Sequence, residues 1–231
     1  MRMSTLNLEQ HMEDFISNLQ EVDRLADIHA SVTSPGPGRK HNVEVLHKSG
    51  IVLLVACWEA FVEDLASDAL AALIEKARDH RVLPEDVQER IAGRLQGKKA
   101  WDLAGDGWKQ ACRNNLKEVL ARTTGALNTP KTAQVDELFE KVIGIRKISG
   151  NWSWKGRAAT ASQKALDELI GLRGTIAHRV TTAQSVRKSD VQVGRDLLGC
   201  LAVTSHNAVG DYVLAKIGTT PWGKYAFGQT K

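Results

Sequence analysis

Cysteine is scarce in this chain of 231 residues: there are three, Cys57, Cys112 and Cys200, odd in number and far apart. Such usage excludes a disulfide framework and fits reduced thiols packed as small hydrophobes. The sequence also lacks a Cys-x-x-Cys pair, a His-Glu-x-x-His helix and a glycine-rich loop after a strand-like run. A metal site, a redox centre and a nucleotide cradle are therefore not expected, and no cofactor is called for. Long apolar runs are missing as well. The longest, Ile51 to Cys57, is too short to span a bilayer, and Met1-Arg2-Met3-Ser4 opens an amphipathic pattern in place of a signal peptide. The expectation is a cytoplasmic protein with no membrane partner.

Period-two alternation, the mark of a half-buried strand, is absent, whereas helical spacing is found throughout. Leu8, Met12, Phe15, Leu19 and Val22 recur at steps of three and four, which predicts an amphipathic helix to about residue 30. Ser34-Pro35-Gly36-Pro37-Gly38 ends it. A long helix is predicted over about 40–78, where Leu46, Leu53, Leu54, Ala56, Cys57, Phe61, Leu65, Leu70 and Leu73 mark a broad buried face. Pro84-Glu85-Asp86 reads as a first turn, with that helix running to about Gly97, and Lys98 to Gly107 reads as loop. Further helices are predicted over 108–122 and from Thr129-Pro130 to about Gly144. The next starts near Ala158, and the last is opened by a capping box of Ser189 and Gln192 and runs towards Ile217. With 42% hydrophobic and 25% charged residues the chain has the composition of a folded domain. The reading is an all-α bundle from 1–80 and 157–217, an inserted helical subdomain at 81–156, and an irregular tail at 218–231.

Charge is unevenly distributed. From Lys141 to Lys188 ten Lys and Arg stand against two acids, a net +8, while the rest of the chain carries −4. Concentrated positive charge suits a surface that meets a polyanion, and a solvated basic face is the plainer reading. Inside this segment lies Leu172-Arg173-Gly174-Thr175-Ile176-Ala177-His178-Arg179. Histidine is the side chain that exchanges a proton near neutral pH, and arginine is a permanent cation shaped to grip phosphate oxygens. The spacing alone is not specific, because Arg24 and His29 repeat it beside Glu21, Asp23 and Asp27. The basic surroundings single out the second copy. Trp152 and Trp154, with Lys155 and Arg157, combine flat rings and cations as a base-stacking surface does, although tryptophans more often anchor a loop.

Together, Ala56-Cys57-Trp58-Glu59-Ala60-Phe61-Val62-Glu63-Asp64-Leu65 and Leu172 to Arg179 resemble the HEPN superfamily, specifically its RiboL-PSP-HEPN branch. There a long helix with a Trp-Glu-x-aromatic stretch precedes a late helix bearing Arg-x4-His. The resemblance implies a HEPN-like helical bundle that forms a homodimer with a composite active site. The implied activity is metal-independent endoribonuclease cleavage, by attack of a ribose 2′-hydroxyl on the adjacent phosphate, leaving 2′,3′-cyclic phosphate and 5′-hydroxyl ends. A toxin or anti-phage defence role and an antitoxin or defence-system partner protein are implied with it. Carried over residue by residue, Arg173 and His178 match the catalytic pair. Glu59 and Glu63, one turn apart, stand as supporting residues for Arg173 or His178, with a solvated face or pairing with Lys and Arg as the plainer reading; Thr175 is a further supporting residue, and Arg179, Arg187 and Lys188 are candidate contacts to RNA. Gly174 occupies a position where such motifs often carry a polar residue, which keeps a catalytically inactive RNA-binding or protein-interaction module as the alternative. Val180 replaces the tyrosine of members regulated by nucleotide transfer, so that regulation is not expected.

Overall fold

The computed structural model describes residues 9–32, 43–93, 97–121, 129–179 and 185–227. Its helices are α1 (Gln10–Val32), α2 (Glu44–Lys76), α3 (Glu85–Ala92), α4 (Gly107–Ala121), α5 (Thr132–Ile143), α6 (Ala159–Arg179) and α7 (Lys188–Ile217). Short 3-10 turns lie at His80–Val82, Gly97–Leu103 and Ile148–Asn151. Among the described residues the only β pairing is an isolated bridge between Trp154 and Arg157. The chain is all-α.

Three boundaries differ from those read off the sequence. Helix α3 stops at Ala92, short of Gly97, and part of the expected loop after it is the 3-10 turn. Helix α7 begins ahead of the Ser189 cap, because the Asp190 carboxylate accepts a hydrogen bond from the Arg187 backbone N–H at 2.7 Å. A carboxylate three residues into a helix both caps it and meets the positive end of its dipole.

Helix α2 organises the bundle. Its 33 residues carry so many apolar side chains that no single stripe can hold them, and by length and composition it could cross a membrane. Here many of them are buried among α1, α4, α5, α6 and α7, which all pack against it. Leu53 and Ala56, expected on the buried face, are exposed instead, on the strip of α2 that also carries Glu59 and Glu63. Trp58 and Phe61 stack at 5.7 Å between ring centroids, Trp152 meets Trp58 edge-on, and the Trp58 indole N–H donates to the Pro130 carbonyl. Val87, Ile91, Trp108, Val135 and Phe139, from the segment read as an insertion, belong to the same continuous core.

A chain of buried polar groups ties α1, α2, α7 and the tail together. His11 reaches the Asp68 carboxylate through Nδ1 at 2.7 Å and His206 Nδ1 through Nε2 at 2.8 Å. His206 Nε2 donates to the Gly223 carbonyl at 2.8 Å. A carbonyl only accepts, so His206 carries its proton on Nε2 and accepts from His11 through Nδ1. Burial pushes the His206 pKa down to about 4, which keeps the ring neutral in the folded protein. The tail is further held by Glu9, which accepts from the Gly223 N–H, and by a two-way pairing of Asn207 with the Tyr225 backbone.

Trp222 lies against α7 because position 210 has no side chain: a Cβ there would stand 2.7 Å from the indole nitrogen. Gly210→Ala is expected to lower unfolding stability by about 1–3 kcal/mol, as overpacking does, and to expose Trp222. Urea denaturation followed by tryptophan fluorescence checks this, and an unchanged midpoint would show that the tail is not packed as described.

Candidate functional site

Leu166, Leu169, Ile170 and Ile176 form the apolar stripe by which α6 packs on the bundle, and Arg173 is on the same side of the helix. Its long side chain is half-buried, and among the described residues its Nε is a buried donor with no hydrogen-bond partner. A buried guanidinium nitrogen left unpaired is costly, and groups in that state are candidates for an exchangeable ligand. Five residues along an α-helix turn through roughly 140° from the start. His178 therefore leaves α6 on another side, where it is exposed. One chain positions the cation and presents the imidazole, but does not face them towards each other.

Helix α2 supplies the acids. Glu59 and Glu63 lie one turn apart, both half-buried. Burial raises the Glu59 pKa and the nearby positive charge of Arg173 opposes that rise. For Glu63, burial, then repulsion from Glu59 and Asp64, pushes the pKa up to about 7. The structure thus brings Glu59 to Arg173, with no ion pair closed between them, and brings neither acid to His178 among the described residues.

Thr175 is exposed, and its hydroxyl donates to the Gly171 carbonyl of its own helix at 3.1 Å. A Cβ added at Gly174 would meet nothing within 4 Å among the described residues, so no packing against them requires glycine there. Arg179 ends α6, and its side chain lies outside the described residues, as does that of His29. Arg24, from the other Arg-x4-His spacing, pairs on the surface with Glu21. Arg187 and Lys188 are exposed at the start of α7.

Two residues that the sequence did not mark fasten the segment after the motif. His47 Nδ1 donates to the Val186 carbonyl at 3.0 Å, and the Glu44 carboxylate accepts from the Ser185 hydroxyl and the Val186 N–H. Hydrogen bonds from Lys48, Val186 and Ser185 lower the Glu44 pKa, which keeps this acceptor ionised. Both residues sit about 140 positions from their partners, and nothing in their local spacing signals the pairing. Lys188 also edges a small cleft of about 30 Å³ shared with Asp23, His47, Gln192 and Arg195. Arg195 there makes a bidentate pair with Asp23, both hydrogen bonds 2.7 Å long. Among the described residues no three His, Cys, Asp or Glu side chains converge to hold a metal ion.

The basic segment around the motif is partly neutralised at its edges by Lys141–Glu137, Arg146–Glu140 and Lys164–Glu168 pairs, all exposed and weak. Lys147, Lys155, Arg187 and Lys188 add exposed cations to it.

The family model described as RiboL-PSP-HEPN matches residues 13–198, from α1 into α7, and so takes in both the Glu59/Glu63 turn and the Arg173/His178 turn. No curated protein and no solved structure matches the chain.

A raised carboxyl pKa gives a stability signature. Between about pH 4.5 and 7 the folded protein holds a proton on Glu63 that the unfolded chain has released, so Glu63 makes stability fall as pH rises through that window. Glu63→Gln removes the penalty. The variant is expected to be more stable than the parent at pH 8 and equal to it at pH 4, by urea denaturation; the same difference at both would contradict the shift.

Proposed function

Because the chain belongs to the RiboL-PSP-HEPN family, we propose that it is an endoribonuclease whose active site is shared by two copies of the chain. The observation that carries this reading is the placement of the motif: Arg173 is half-buried beside Glu59, and His178 stands exposed on another side of α6. A two-fold axis, the commonest symmetry of oligomers, brings a histidine and an arginine from each chain around one phosphate. The homodimer is therefore part of the proposal.

RNA supplies its own nucleophile, so no metal-bound water is required. One His178 removes the proton of a ribose 2′-hydroxyl as its oxygen attacks the adjacent phosphorus. The bond from phosphorus to the 5′-oxygen breaks, and the second His178 delivers a proton to that leaving oxygen. Arg173 balances the negative charge that builds on the non-bridging oxygens. The products are a 2′,3′-cyclic phosphate and a 5′-hydroxyl end. Glu59 positions the guanidinium, with Glu63 one turn along α2 as a second supporting acid, while Arg179, Arg187 and Lys188 meet the RNA backbone through charge, which fixes register and not sequence. The proposal extends to a cytoplasmic toxin or anti-phage defence role, held in check by an antitoxin or defence partner protein.

Purified protein incubated with end-labelled RNA in EDTA is expected to cut it. His178→Ala should lower the rate by about 10²–10⁴-fold and Arg173→Ala by about 10²–10³-fold. Full activity in either variant would exclude this site. Tight RNA binding without cleavage by the parent protein would assign the inactive binding module.

A further inference from the structure

We propose that the hairpin Trp154–Arg157, together with Phe227 of the tail, is a second binding site for single-stranded RNA, separate from the Arg173/His178 turn. The proposal rests on RNA being the ligand of this protein and adds where else along the chain it is held.

The hairpin is closed by its own backbone. Trp154 and Arg157 exchange both backbone hydrogen bonds, at 3.1 and 2.9 Å, and Gly156 takes the left-handed turn with φ 82°. The preceding residues are anchored. Trp152 is fully buried and its indole donates to the Ser205 hydroxyl at 2.8 Å, and the Asp136 carboxylate accepts from both the N–H and the hydroxyl of Ser149. Arg157 is fixed by a hydrogen bond to Ser162 and lies with its guanidinium carbon 5.6 Å from the centre of the Trp154 ring. Of the two tryptophans singled out by the sequence, Trp152 is thus the anchor, and Trp154 is a partly buried ring at the edge of the core.

Phe227 completes the surface. Its ring stands 6.2 Å from that of Trp154, tilted by 50°, yet remains 54% exposed. Lys155 projects from the hairpin tip in solvent. From Gly144 to Ala158 the chain holds four cations, Arg146, Lys147, Lys155 and Arg157, and no acid. An exposed aromatic ring packed beside a hydrogen-bonded hairpin that carries cations is what sequence-tolerant stacking of unpaired bases requires: the ring takes a base face and the cations take phosphates. A duplex hides its base faces and does not fit. The hairpin immediately precedes α6, whose first residue lies roughly 20 Å along the helix from Arg173. A dinucleotide on the motif cannot reach it.

The test is fluorescence anisotropy with 2′-O-methyl RNA, which lacks the nucleophile and is not consumed. A single strand of about 16 nucleotides, within the span of known single-strand sites, is compared with a dinucleotide and with a duplex of the longer sequence. Phe227→Ala is expected to weaken binding of the long single strand by about 5- to 150-fold, the range of one stacked base, with the dinucleotide and duplex unaffected. Phe227→Trp should restore it, and Lys155→Glu should weaken the long strand as well. Unchanged affinity in Phe227→Ala, or an equal loss for duplex and single strand, would overturn the site. Cleavage reports separately: if the parent cuts RNA but these variants bind like it, the second site falls and the nuclease stands. If it binds RNA without cutting and Phe227→Ala still weakens binding, the second site stands and the nuclease falls.

Discussion

Burial of α2 is the constraint from which the rest follows. A 33-residue helix with apolar side chains around most of its circumference cannot rest against one neighbour, because whatever face stays open exposes apolar area at about 25 cal/mol per Å². Enclosure by α1, α4, α5, α6 and α7 removes that area from water. It leaves a narrow strip in which Glu59 and Glu63 stay half-buried. Helix α6 must then lie along α2 with its apolar stripe inwards, and Arg173, on that side of α6, is carried to Glu59 whether or not the pair is favourable. The raised carboxyl pKa values are the cost of half-burying the two acids, which the Arg173 charge only partly offsets at Glu59, and the unpaired guanidinium nitrogen is the cost of half-burying Arg173. Perturbed groups of this kind, between packed helices, mark a candidate functional site.

The same geometry divides labour between the two motif residues. A five-residue step sends His178 away from the core while Arg173 remains anchored in it, so that one is held by its own bundle and the other offered to something outside. In the proposed dimer the outside partner is a second copy. Ser185 and Val186, tied to Glu44 and His47 of α2, fix where α7 begins.

Much of this was legible in the sequence because helices declare themselves locally. Steps of three and four located α1, α2, α5, α6 and α7 to within a few residues, and the pairing of Trp58-Glu59 with Arg173-His178 in that order carried the family. Helix ends were less legible: Asp190 and Ser189 compete as capping signals, and only the backbone path shows that the carboxylate is used. What joins distant positions could not be read at all. The His11–His206 contact spans 195 residues and His47–Val186 spans 139, and no spacing rule connects them. The two tryptophans of the loop illustrate the limit. Identical residue types two positions apart have different fates: Trp152 is fully buried and donates to the Ser205 hydroxyl, while Trp154 is only partly buried against the edge of the core.

The central claim is that the imidazole of His178 works across a two-fold axis against its own copy. The most direct measurement replaces it with a reporter: His178→Cys treated with a short thiol-to-thiol crosslinker, with Cys57 and Cys112 buried and the parent protein as control for Cys200. A covalent dimer formed through position 178, absent in the parent, is the predicted result. Monomer alone, at protein concentrations where RNA is bound, would contradict it.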